Sequence, residues 1–111
     1  MRSFHKLPVA EIRKEIGGAA TSVIFAAPPD LADQFHWLAG QHLTLRFVLD
    51  GVEHRRSYTI SNPPGQPLRI TSKRVQTGVI SNHIGDDLKP ADLVEVMPPF
   101  GGFKLTPDPM A

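Results

Sequence analysis

The sequence predicts an all-β domain, a six-stranded antiparallel Greek-key barrel with one short helix, and three observations carry that expectation. Apolar and polar residues alternate with period two in several short segments. The 11 Pro and 9 Gly, spread along 111 residues, break the chain into many short elements. One stretch alone has helical character. Six short strands left as an open sheet would expose unpaired edges, so closure into a barrel is the economical arrangement.

The elements follow in order. Val9 to Ile16 and Thr21 to Ala27 are apolar-rich and β-branched around Gly17-Gly18, two strands joined by a turn, the second ended by Pro28-Pro29. Gln41 to Leu49 alternates cleanly, with Leu43, Leu45, Phe47 and Leu49 on one face and His42, Thr44 and Arg46 on the other. Asp50-Gly51 suits the positive φ angles of a type I′ turn, so Val52 to Ile60 returns antiparallel. Asn62-Pro63-Pro64-Gly65 forces another reversal, and Leu68 to Val75 is the fifth strand. Leu93 to Met97 is the sixth, stopped by Pro98-Pro99. The helix is Val79 to Ile84, opened by Thr77-Gly78 and capped by Gly85.

Composition narrows the function classes. At this length a fold buries about 60–70% of the surface of its unfolded chain, enough for one core without disulfides or a structural metal. The absence of Cys excludes a disulfide framework, a Cys-type zinc site and an iron–sulfur cluster held by this chain, and makes a reducing compartment the default. No apolar run approaches the roughly 18–20 residues that span a bilayer, and nothing after Met1 resembles a signal peptide, so a cytoplasmic location is expected. The five His show no HExxH or other tight metal spacing, and no metal is expected. GxSxG, Walker A and GxGxxG motifs are all missing.

A net charge of +1 argues against generic nucleic-acid or membrane binding, yet it conceals an asymmetry. From His54 to Gly85 there is no Asp or Glu, while Arg55, Arg56, Arg69, Lys73 and Arg74 fall inside that stretch. A solvated basic face is the plain reading; a segment facing a small anion such as phosphate is the sharper one. Two constellations sit there. In Arg56-Ser57-Tyr58-Thr59, strand geometry puts Arg56 and Tyr58 on one side about 7 Å apart, offering a guanidinium fork and an aromatic plane to one ligand. That pair suits a flat ring carrying a phosphate tail, although an ordinary cross-strand Arg and Tyr would look the same. In Gly78-Val79-Ile80-Ser81, a Gly at the entrance and the N–H groups of a first helical turn suit a negatively charged oxygen, although a plain helix start would also look the same.

Taken in this order, the two constellations resemble the RxY[ST] and GxxS pair of the ferredoxin–NADP⁺ reductase superfamily. Ala39-Gly40-Gln41-His42-Leu43 is similar to its GQ-containing third strand, Ile70 to Val75 to its fifth, and Leu88-Lys89-Pro90 with Asp92 to the turn before its last. Pro99-Phe100-Gly101-Gly102-Phe103 resembles the PxGxF that closes its barrel. Among the branches, bacterial oxygenase reductases of the phenylacetyl-CoA oxygenase type are the most similar. Ser72 stands where that branch usually has an apolar residue, and Ala91 where it usually has a turn glycine.

The resemblance implies an FAD-binding domain over residues 1–105, with 106–111 a linker toward a nicotinamide-binding domain. It implies an NAD(P)H-dependent flavin reductase that passes electrons to an iron–sulfur ferredoxin domain or protein, a reaction this chain does not complete alone. By the same resemblance, Arg56 holds the FAD pyrophosphate, Tyr58 stacks on the isoalloxazine, Thr59 lies near N5 and Ser57 contributes mainly backbone. Thr71, Ser72 and Lys73 run beside the flavin and its ribityl chain, and Gly78, Val79, Ile80 and Ser81 supply pyrophosphate-binding N–H groups. No catalytic side chain is assigned, and no nucleic-acid or membrane partner. Two other readings stay open: a barrel that binds single-stranded nucleic acid through its basic stretch, and a barrel without cofactor that serves as an interaction module.

Overall fold

Leu43, Leu45 and Phe47 alternate with solvent-facing partners along the third strand, and this stripe is the floor on which the rest of the chain packs. The computed structural model describes residues 3–38, 40–75 and 78–100. Its strands are β1 (His5–Glu15), β2 (Ala20–Phe25), β3 (His42–Leu49), β4 (Val52–Thr59), β5 (Leu68–Lys73) and β6 (Leu93–Phe100), with the helix α1 (Val79–Asp86) between the last two. All pairings are antiparallel, and the strands lie in the order β4-β3-β6-β1-β2-β5. Placing β6 between β3 and β1 makes the connections cross in Greek-key fashion.

The outermost strands, β4 and β5, curl toward each other and meet at one end only. Ile60 bridges Ile70, and the Ser61 N–H donates to the Arg69 carbonyl at 2.7 Å. Along the rest of their length the two edges stay apart, so the barrel has one split seam. Leu7, Leu43, Leu45, Ile70 and Val96 fill the interior, and α1 caps it with Ile80 and Ile84. Burying side chains of this size contributes about 1.5–3 kcal/mol each. β2 is buried on both faces: Val23 and Phe25 point into the core, while on the outer face the Ser22 hydroxyl donates to Glu15 Oε2 at 3.0 Å and shares a hydrogen with Thr71 Oγ1 at 2.9 Å.

Several boundaries differ from the sequence expectation. β1 starts at His5 rather than Val9, because His5 to Pro8 pair with β6, a partner far away in sequence. The Asp50-Gly51 turn has φ of 52° and 78°, as a type I′ turn requires. A 3₁₀ turn at Ala32–Phe35 was not expected; it buries Phe35, and beyond it the Trp37 indole N–H donates to the Asn62 carbonyl at 2.8 Å. Pro98-Pro99 do not stop β6. His42 pairs with Phe100 and Thr44 with Met97, so both prolines fall in a bulge, where a missing N–H breaks no ladder bond. Gly85 does not cap α1 but lies inside it; the helix closes on Asp87, whose N–H donates to the His83 carbonyl at 2.8 Å. The expected linker 106–111, and residues 101–103 of the PxGxF resemblance, lie outside the described residues.

Candidate functional site

The split seam is where the two constellations meet. In the β3–β4 register Leu43 lies opposite Tyr58 and Leu45 opposite Arg56, so these two β4 side chains belong to the inward-facing phase. Because β5 does not close against them, they border a hollow of about 230 Å³ instead of a sealed core. Its lining is Arg56 and Tyr58 from β4, Ser72 and Lys73 from β5, Val75, and Gly78 to Ser81 at the start of α1. Of the residues singled out in the sequence, Ser57, Thr59 and Thr71 are not part of this lining. The Ser57 hydroxyl lies 2.9 Å from Thr44 Oγ1, Thr59 pairs with His42 at the last rung of β4, and Thr71 is joined to Ser22 on the outer face. Val75 lines the hollow without having been singled out as a site residue; the sequence placed it inside the fifth strand, but β5 ends at Lys73 and Val75 lies beyond it.

The entrance to α1 is held tightly. Gly78 donates to the Val75 carbonyl at 2.9 Å, the Val75 N–H donates to Ser81 Oγ at 3.0 Å, and Asn82 makes the first ladder bond, to the Gly78 carbonyl at 3.1 Å. A Cβ on Gly78 would stand 2.6 Å from Ser81 Oγ and 3.1 Å from the Val75 Cβ, so close approach, not backbone conformation, requires glycine here. The Ser81 hydroxyl is thereby committed to the turn, and the first-turn amides are the groups that α1 offers toward the hollow. Farther along, Arg74 spans the helix: Nη2 lies 2.8 Å from Asp86 Oδ1, Nη1 lies 2.9 Å from Asn82 Oδ1, and Nε reaches the Gly18 carbonyl at 3.4 Å. This clamp ties α1 to the end of β5, and no feature of the sequence foretold it.

Electrostatics separate the basic residues into two groups. Arg55 pairs with Glu53 at 2.9 Å, Arg74 with Asp86, and Arg69 Nε donates to Ser61 Oγ at 2.9 Å. Arg56 and Lys73, the two that border the hollow, have no carboxylate within ion-pair distance among the described residues; Arg56 Nη1 reaches only the Arg55 carbonyl, at 2.8 Å. Tyr58 is half-buried, and burial pushes its phenol above the usual tyrosine range, against smaller downward pulls from the Ser72 hydroxyl and the Arg56 charge. A larger hollow of about 600 Å³ between the β3–β4 turn and α1 has the opposite sign, being lined by Asp50, Asp86 and Asp87. Of these two hollows, the seam is the one that suits an anion that also carries a flat apolar ring. Among the described residues, no three His, Asp or Glu group as a metal site, and no helix is long and apolar enough to cross a membrane.

The profile of the oxidoreductase FAD-binding domain family matches residues 11–105. The chain belongs to that family. It is 36% identical over 109 residues to a component of the 1,2-phenylacetyl-CoA epoxidase of Escherichia coli K12, covering 96% of this chain and 30% of that one. Phthalate dioxygenase reductase, described as a modular structure for electron transfer from pyridine nucleotides to [2Fe-2S], superposes with a TM-score of 0.70 at 30% identity over 93% of this chain and 32% of its own. A ferredoxin NADP⁺ reductase from Neisseria gonorrhoeae, solved with bound FAD and NADP, shares the fold with a TM-score of 0.73 at 16% identity over 89% of this chain and 39% of its own. The chain thus spans less than a third of the epoxidase component's length. FAD is the family's cofactor, and the donor set fits it: two cations without carboxylate partners and a helix start for a diphosphate, with one half-buried phenol ring for the flavin.

Proposed function

We propose that the chain is the flavin domain of an NAD(P)H-dependent reductase and that the seam between β4 and β5 seats FAD. The observation that carries this is the pairing of Tyr58 with Arg56 and Lys73 across from the α1 entrance in one hollow. Arg56 takes the pyrophosphate oxygens through its guanidinium fork, and the amides of Val79, Ile80 and Ser81 take the same charge from the other side, while the Gly78 N–H, expected from the sequence to join them, is held by the Val75 carbonyl. Tyr58 offers its ring to the isoalloxazine, Lys73 and Ser72 border the ribityl side, and Thr59, at the last rung of β4, meets the ring where the strand ends. Ser57 and Thr71 support the strands through their hydroxyl contacts. Bound FAD supplies two-electron acceptance from a nicotinamide and one-electron delivery to an acceptor.

The rest of the reaction belongs to partners. We assign residues 1–105 to the flavin domain and 106–111 to a link toward a nicotinamide-binding domain, with an iron–sulfur protein or module as acceptor and the cytoplasm as compartment. The electron path named for phthalate dioxygenase reductase supports this arrangement. A hollow of about 230 Å³ is smaller than the about 300–1,000 Å³ of sites that envelop a whole ligand, so the chain encloses only part of FAD. Micromolar or weaker affinity follows once association costs are subtracted.

The test is titration with FAD, read by loss of flavin fluorescence and gain of induced visible circular dichroism. Arg56→Ala should weaken binding by roughly 10- to 100-fold, the equivalent of a lost charge-assisted hydrogen bond of about 1.5–3 kcal/mol, and Tyr58→Ala by a similar factor. A folded protein that ignores every flavin, or one that responds only to single-stranded oligonucleotide with steep salt dependence, would overturn the reading.

A further inference from the structure

The seam is closed at one end, and two facing residues do most of the closing. Ser61 follows the Ile60–Ile70 bridge and stands against Arg69 of β5. Its N–H donates to the Arg69 carbonyl at 2.7 Å, and its hydroxyl donates to the same oxygen at 3.1 Å. The Arg69 side chain returns the contact: Nε donates to Ser61 Oγ at 2.9 Å and Nη2 to the Ser61 carbonyl at 3.2 Å. Backbone and side chain of each residue therefore grip the other. The chain beyond Ser61 is pinned as well, since the Trp37 indole N–H donates to the Asn62 carbonyl at 2.8 Å and Asn62 Nδ2 to the Pro67 carbonyl at 2.9 Å.

Where this clasp sits gives it leverage over the site. From the Ile60–Ile70 bridge back toward Arg56, no backbone bond joins β4 to β5 among the described residues, and the ladder route between them runs through β3, β6, β1 and β2. Tyr58 and Arg56 lie two and four residues back along β4, roughly 7 and 13 Å from the bridge at about 3.3 Å per residue. A tilt of about 5° between the strands at the clasp moves them by roughly 0.6 and 1 Å, as much as or more than the about 0.5 Å within which a binding constellation must be held. Arg69 itself does not line the hollow; it lies in the outward phase of β5, beside the buried Leu68 and Ile70.

We propose that Arg69 is a positioning residue: by gripping Ser61 it fixes the angle at which β4 diverges from β5, and so the gap across which Tyr58 and Arg56 face the start of α1. The inference rests on the flavin-site reading and adds to it a residue outside the hollow that sets the hollow's width. Lysine at this position keeps the charge and loses the planar fork that serves the Ser61 hydroxyl and carbonyl together.

The experiment titrates wild type, Arg69→Lys, Ser61→Ala, Ser61→Thr and the Arg69→Lys/Ser61→Ala double variant with FAD, each well below its melting transition, and follows flavin fluorescence and induced visible dichroism. Arg69→Lys and Ser61→Ala should each raise the FAD dissociation constant about two- to tenfold, the range of one hydrogen bond, and change the induced dichroism. The double variant should lose no more than the larger single loss, because either change opens the same clasp. Ser61→Thr keeps the hydroxyl and should bind as wild type does. Wild-type affinity and dichroism in Arg69→Lys would overturn the proposal, since charge alone would then suffice. Additive losses in the double variant, or Ser61→Thr binding as weakly as Ser61→Ala, would overturn it too. Wild type that leaves FAD fluorescence unchanged would instead overturn the flavin-site reading on which the proposal rests, an outcome the wild-type titration separates from the others.

Discussion

The guanidinium of Arg74 lies directly over Gly85: a Cβ there would stand 2.3 Å from Nη2 and 3.1 Å from Cζ. The glycine is thus kept inside α1 for space, and Arg74 uses that space to reach Asp86 and Asn82.

Gly85→Ala should displace Arg74 while improving helix propensity by about 1 kcal/mol, so stability at neutral pH should change little. Its acid dependence should change more. Arg74 holds the Asp86 carboxyl below the usual aspartate range, so the stabilisation is present above that range and is lost as pH falls through the depressed folded value. Thermal melts at a series of acidic pH values should show this loss in wild type and not in the variant. Parallel curves would contradict the clamp.

Ala91 adopts φ of 77°, a left-handed conformation that a Cβ disfavours, while its N–H donates to the Val9 carbonyl at 2.8 Å. Ala91→Gly should keep that bond and relieve the strain, a gain of about 0.5–1 kcal/mol after the entropic cost of glycine. A rise in Tm of a few degrees is the expected readout.

The Tyr58 phenol titrates above the ordinary range, chiefly through burial, and Arg56 pulls it down. Removing the charge with Arg56→Ala should therefore move the phenolate transition further up. Because the folded value exceeds the unfolded one, the associated stabilisation is complete below the ordinary tyrosine range and is lost as pH rises through the folded value. Absorbance titration and alkaline melts test both signs.

Ile70 is fully buried, pairs with Val23 on one side and bridges Ile60 on the other. Ile70→Ala should destabilise by about 2–5 kcal/mol, measured by denaturant unfolding. It should also loosen the one point at which β4 and β5 meet, so FAD binding should weaken even in the fraction that stays folded.

Legibility in the sequence followed the range of the interactions. The alternation from Leu43 to Leu49 and the Asp50-Gly51 turn are local signals, and they placed β3 and β4 to within a residue. Elements decided by distant partners were missed: the first four residues of β1 depend on β6, and the passage of β6 through Pro98-Pro99 depends on a bulge against β3. For the site, period-two geometry brought Arg56 and Tyr58 together, and the same rule turned Ser57 and Thr59 away. Nothing local announced Arg74 as a helix clamp, because Asn82 and Asp86 become its partners only when α1 folds back over the end of β5.

β6 is the last of the six strands to leave the ribosome, yet it stands in the middle of the sheet, with β3 on one flank and β1 on the other. Until it arrives, nascent chain can assemble only the β3–β4 hairpin and the β1-β2-β5 ribbon, joined at the Ile60–Ile70 bridge alone and each too thin to bury its own apolar face. The final strand works as a keystone, so cooperative folding waits for translation to pass Phe100, and truncation before Leu93 should yield two fluctuating fragments that melt without a shared transition.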